Sequence, residues 1–183
     1  TFKSDANGTA RVAPSAGTIN GNVIAEQYIP SKRAWRFMSG YLVGGQQYIK
    51  DAWQEGQTIT TAGQVLNNNP GYGTHITGGT SANGFDQTAT NNYSIRKWTP
   101  AATSGWSVTP PPTASTYLQD NNGYALFVRG SRGVDLTTNT STDNTTLRVT
   151  GTVNLGSTGF GTQAFSTTSG FYQLIGNPYI SAV

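Results

Sequence analysis

The chain has no cysteine and one histidine in 183 residues, and only 10% of its residues are Asp, Glu, Lys or Arg. Without thiols there can be no disulfides and no thiolate metal sites, so the core must hold the fold, helped at most by bound ions or neighbouring domains. One histidine and eight carboxylates leave little material for acid–base chemistry. The charged fraction is far below the roughly 25% of an average soluble domain. The net charge of +3 reflects a shortage of acids, and no Lys/Arg run exceeds two residues, which gives nucleic-acid binding little support. There is no apolar run of membrane-spanning length and no signal peptide, so nothing points to membrane insertion. The chain opens on Thr1 without a methionine, which reads as a processed protein or an excised piece.

Thr, Gly, Asn and Ser make up 81 of the 183 residues. That composition favours strands joined by tight turns over helices, and 20 aromatic residues spread along the chain argue against disorder. Asn-Gly pairs at Asn7-Gly8, Asn20-Gly21, Asn83-Gly84 and Asn122-Gly123 mark chain reversals. Strand character appears over residues 22–29, 34–38, 93–98, 124–129, 145–155 and 171–175. The clearest case sets Leu147, Val149, Gly151, Val153 and Leu155 against Arg148, Thr150, Thr152 and Asn154, the period-two pattern of a half-buried antiparallel strand. Tyr124, Leu126 and Val128 should also point inward. A helix of one or two turns is expected within residues 46–55, with Ile49, Ala52 and Trp53 on one face and Gly56 as its C-terminal cap. Residues 109–113, with three consecutive prolines, read as a stiff extended connector and permit a weak subdivision near residue 110. Residues 57–92 read as long surface excursions, and no repeat of 20–50 residues is present.

Residues 28–37 place Lys32, Arg33 and Arg36 among Tyr28, Trp35 and Phe37. Such a segment is either a cationic aromatic patch that holds a ligand or a strand whose rings enter the core while its cations lie outside. Trp35 and Phe37 alternate with Arg36, which favours the second reading: rings inward, Lys32 and Arg33 near a turn after Pro30, and Arg36 laid along the sheet with its charge in water. On that reading Trp35→Ala would cost about 3–5 kcal/mol as a core truncation.

Glycoside hydrolysis needs two opposed carboxylates, and nothing around Glu26 and Glu55, the two glutamates, marks a catalytic pair. The stretch around His75 lacks the Gly-Lys-Ser/Thr ending of a phosphate-binding loop. Calcium is a candidate ligand through Asp120-Asn121-Asn122-Gly123 and residues 135–143, although neither matches a known calcium-loop spacing and the first is equally a turn. Sugar binding is the sharper hypothesis, because exposed rings stack on pyranoses while amides bond the hydroxyls. Its candidate residues are Trp98 and Trp106, flanking the loop 99–105, with Tyr72 and His75 on another loop. For His75 the alternative is a loop histidine bonded to backbone, and for the large aromatics it is a place in the core.

Six segments in this order resemble a module of large secreted proteins of the Bacteroidota, in chains that often end in a type IX secretion sorting domain. They are Tyr28-Ile-Pro-Ser-Lys-Arg-Ala-Trp-Arg-Phe37, Asp51-Ala-Trp-Gln-Glu-Gly56, Asn69-Pro-Gly-Tyr-Gly-Thr-His-Ile-Thr-Gly78, Tyr124-Ala-Leu-Phe-Val-Arg-Gly130, Thr145-Thr-Leu-Arg-Val-Thr-Gly151 and Leu174-Ile-Gly-Asn-Pro-Tyr179. The resemblance implies export and display or release at the cell surface, next to Gly/Thr-rich adhesin-like or β-helical repeats, with Val183 ending a fragment of a longer protein. It transfers no catalytic residues.

The expectation is a single all-β domain, an antiparallel β-sandwich of jelly-roll type with long loops and at most one short helix. Its expected role is non-catalytic, as a structural or adhesive module of a secreted surface protein. Its partners would be neighbouring domains of the same polypeptide, extracellular polysaccharide or other copies of itself. A carbohydrate-binding module attached to a polysaccharide-degrading enzyme and a self-associating surface subunit are the alternatives.

Overall fold

The computed structural model describes residues 1–13, 17–40, 42–56, 69–98, 105–107, 113–114, 118, 123–155, 170, 172, 174–177 and 180, with 43–46 described by backbone alone. Residues 57–68 of the expected surface excursions, 109–112 of the expected proline-rich connector, the acidic turn at 120–122, and residues 171 and 173 of the expected final strand lie outside these residues.

Thr- and Val-rich runs between glycine turns form strands here, because β-branched and aromatic side chains suit a pleated, half-buried surface. The described strands are β1 (Ser4–Asp5), β2 (Gly8–Thr9), β3 (Val23–Ile29), β4 (Ala34–Ser39), β5 (Val43–Gln46), β6 (Ile95–Lys97), β7 (Gly123–Val128) and β8 (Thr145–Thr152). All strand pairings are antiparallel. They make a β1–β2 hairpin and two three-stranded sheets, ordered β3-β8-β5 and β4-β7-β6. The expected all-β architecture is what the chain forms, with one short α-helix among the described residues. That helix, α1 (Ile49–Ala52), buries Ile49, Ala52 and the following Trp53 as expected. Gly56 closes it at φ 62, donating its N–H to the Lys50 carbonyl at 2.8 Å. A 3-10 turn follows at Ser81–Asn83 and ends on Gly84 at φ 88.

Both sheets supply one hydrophobic cluster: Ala25, Ile29, Leu147 and Val149 from one, Met38, Ile95, Leu126 and Val128 from the other. Trp53 fills its centre, 1% exposed and edge-on to Tyr124 at 5.8 Å. β8 follows the sequence pattern, with Thr145, Leu147, Val149 and Gly151 buried in alternation.

β4 corrects the sequence reading. Trp35 is 45% exposed and Phe37 72% exposed, while Met38 is buried. The register explains the reversal: Ala34, Arg36 and Met38 stand opposite Val128, Leu126 and Tyr124, the inward residues of β7. Because side chains alternate with period two, that pairing sends Trp35 and Phe37 to the outer face. Of Asn122-Gly123, read as a reversal, Asn122 lies outside the described residues; Gly123 begins β7, and Leu174 packs where its Cβ would stand.

Candidate functional site

Outside the core, polar and aromatic side chains gather in three places. The first is a buried polar centre that sequence reading did not find. Asp86 accepts two bonds from Arg132, Nη1 to Oδ2 at 2.8 Å and Nη2 to Oδ1 at 2.9 Å. Gln54 Nε2 (2.9 Å) and the Ile76 N–H (3.0 Å) also donate to Oδ2. Asp86, Arg132 and His75 are all 0% exposed. Burial opposes ionisation of Asp86, but the His75 ring and the Arg132 guanidinium outweigh it and hold the carboxyl well below its ordinary range. His75 lies with Nδ1 3.7 Å from Asp86 Oδ2, beyond hydrogen-bond reach, and neither ring nitrogen has a hydrogen-bond partner. With every charge enclosed, this arrangement is an internal clamp joining the 74–86 loop to the chain after β7.

The second place is a row of charges on the other sheet. Arg148 on β8 stands opposite Glu26 on β3 and pairs with Glu55, donating Nε to Oε1 at 3.0 Å and Nη2 to Oε2. Glu55 raises the Arg148 pKa, chiefly through this bond. The Arg148 guanidinium lies 4.1 Å from the centroid of the Tyr72 ring. Glu26 accepts from Lys3 Nζ at 3.2 Å and from the Ser4 N–H at 3.3 Å. Both glutamates therefore tie the sheet to its neighbours.

The third place is the outer face of the β4-β7-β6 sheet. Phe37, Ala125 and Arg96 form one row across its three strands, and Trp35 and Phe127 face each other one pair further along. Ala125 is too small to fill the space between Phe37 and Arg96, so the row has a floor. Trp106 stacks on Phe37 with centroids 5.8 Å apart and planes 6° from parallel, and Trp98 meets Trp106 edge-on at 5.1 Å. Trp35 tilts against Phe127 at 5.5 Å. These side chains surround an open hollow of about 320 Å3 lined by Trp35, Phe37, Arg96, Trp106 and Ala125, near the lower end of the ~300–1,000 Å3 usual for ligand clefts. Gly105, at φ 65, lets the Trp98 ring lie against the backbone where a Cβ would overlap it. An antiparallel bridge joins Trp98 to Trp106, and Trp98 Nε1 donates to the Tyr172 carbonyl at 2.9 Å.

Guanidinium groups border these rings. Arg96 lies 5.6 Å from the Trp35 centroid, and Arg129 and Arg33 lie 5.1 and 6.0 Å from that of Phe127. Burial, with the charge of Arg33, pulls the Arg129 pKa down to about 10, Asp86 acting weakly the other way. Arg129 therefore stays cationic at neutral pH.

Of the four residues proposed from sequence, the structure brings Trp98 and Trp106 together and sends the others elsewhere. Tyr72 is half-buried under Arg148, and His75 is enclosed beside Asp86. Trp35, Phe37, Phe127 and Arg96 complete the face; the sequence reading places Trp35 and Phe37 in the core and assigns no role to Phe127 or Arg96. The cue was present in residues 28–37, whose ligand-patch reading describes this face.

Of the calcium donors, Asp135 Oδ1 accepts from the Thr137 N–H and hydroxyl, and Asp143 accepts from the Ser131 N–H and hydroxyl. Among the described residues no three His, Asp or Glu side chains converge as metal ligands, and no helix is long and apolar enough to cross a membrane. No family model, curated protein or solved structure matches the chain.

Proposed function

We propose that the protein is a non-catalytic adhesive module of a secreted bacterial surface protein, and that the outer face of its β4-β7-β6 sheet holds an extracellular polysaccharide. One observation carries this reading: Trp35 and Phe37 stand in solvent, 45% and 72% exposed, within a contiguous group of rings around an open hollow. Exposing large aromatics side by side forgoes their burial, roughly 1.5–3 kcal/mol for a side chain such as Phe, and contiguous exposed apolar surface of this kind marks an interaction site. Flat rings suit the apolar faces of pyranoses, and their mutual contacts hold them ready before a ligand arrives. The non-catalytic part is supported by the engagement of Glu26 and Glu55 in ion pairs away from this hollow. The secreted setting rests on the composition and on the resemblance of the six segments.

Affinity electrophoresis against a panel of polysaccharides tests the reading. At least one polysaccharide should retard the wild-type chain, and Phe37→Ala should abolish that retardation without lowering the melting temperature. Retardation by none of a broad panel would defeat it.

A further inference from the structure

We propose that the polysaccharide held on this face is acidic, with carboxylates on its pyranose rings; the inference rests on the polysaccharide reading above. It comes from how the arginines are matched. Arg132 has Asp86 and Arg148 has Glu55. Among the described residues no carboxylate pairs with Arg33, Arg96 or Arg129. Arg33 donates only to the Ser141 carbonyl at 3.1 Å and, at 3.4 Å, to the Asn139 amide oxygen. Arg129 reaches only the Thr77 hydroxyl at 3.4 Å, and its Nη1 is buried without a partner, as is Nε of Arg96. The charges of these guanidinium groups are therefore not neutralised by a described carboxylate, which leaves the face cationic and suited to an anion.

The geometry selects the kind of anion. Each guanidinium lies over a ring, Arg96 over Trp35 and Arg33 and Arg129 over Phe127. A stacking surface beside a planar fork of donors fits a uronic acid residue, which offers one apolar ring face and one two-oxygen carboxylate. A densely charged polyphosphate or polysulfate calls instead for a continuous track of cations, whereas each of these guanidinium groups is set over an aromatic ring. Arg36, on the inward side of β4, also lacks a carboxylate; its Nε and Nη2 are buried without partners beside a smaller hollow of about 150 Å3 formed with residues 27–30. Phe37 lines both hollows, so a chain crossing the edge strand β4 passes from the hollow beside Arg96 to the one beside Arg36.

The test is affinity electrophoresis of the whole chain in gels containing polygalacturonate, a neutral glucan, dextran sulfate or a single-stranded oligonucleotide. The variants are Arg96→Gln and, as a control removing the same charge from α1, Lys50→Gln. Polygalacturonate should retard the wild type most, Arg96→Gln should weaken that binding about tenfold, as expected for loss of a charge-assisted bond, and Lys50→Gln should change it by less than about twofold. If Arg96→Gln melts early, Arg96→Lys replaces it, keeping the charge without the fork, and should still bind more weakly than wild type. Equal retardation by the neutral glucan, indifferent to Arg96, would overturn the acidic assignment and leave the polysaccharide reading standing. Preference for dextran sulfate would overturn the carboxylate assignment. Retardation by the oligonucleotide alone, or by nothing, would overturn the polysaccharide reading itself.

Discussion

Arg129 and Arg132 follow the same strand and are both buried, yet their charges are met in opposite ways. Arg132 is fully enclosed and grips Asp86 through two bonds of 2.8 and 2.9 Å. Arg129 ends beside Phe127 with a single 3.4 Å contact to a hydroxyl. On the proposed function, the difference separates a region finished by folding from one left open to a partner. In the first, removing either charge strands the other; in the second, no described carboxylate pairs with the cation, and the exposed rings of Trp35 and Phe37 lie on the same face. The same contrast runs through the tryptophans, since Trp53 is 1% exposed at the centre of the core and Trp35 is 45% exposed.

Mutations on the two sides should therefore behave differently. The largest effect is expected from Asp86→Asn, which leaves Arg132 buried without a counter-charge and should cost about 3–5 kcal/mol in chemical denaturation. A cost below about 1 kcal/mol would show that the clamp does not hold the 74–86 loop. The wild-type protein should also be acid-sensitive through this group. Because the folded state depresses the Asp86 pKa, the stability it supplies is present above the ordinary carboxyl value of 3.8 and is lost as the pH falls below it. Asp86→Asn should flatten that part of the stability profile.

Trp53→Ala comes next, at about 3–5 kcal/mol for deletion of a buried aromatic. Trp35→Ala should cost only about 1 kcal/mol, the worth of its contact with Phe127 and its cation–π neighbour Arg96. This replaces the core-truncation cost inferred from sequence. Equal losses from the two tryptophans in urea unfolding would contradict the outward placement of Trp35.

The sequence made the frame of the fold legible where one face of a strand is uniformly apolar. β8 was readable because Leu147, Val149 and Val153 alternate with polar residues, and α1 because Ile49, Ala52 and Trp53 share a face above a capping glycine. β4 was readable as a strand but not in its phase. It carries apolar residues on both faces, and the rule that large rings go inside chose Trp35 and Phe37 over Ala34 and Met38. Only pairing with β7, almost 90 residues away in the chain, decides between them. The Asp86–Arg132 clamp was invisible for a related reason: its partners are separated by 46 residues, and no local pattern links them. Trp98 and Trp106 could be picked out as neighbours because they flank one short loop, whereas Tyr72 and His75 were chosen for lying among glycines, which says nothing of where the loop packs.

The central claim is that the rings on the outer face of β4 exist for a ligand and not for the fold. Phe37→Ala tests it most directly, with melting temperature and polygalacturonate retardation measured on the same sample. The melting temperature should stay at the wild-type value and retardation should be lost. A lowered melting temperature with retardation intact would contradict it.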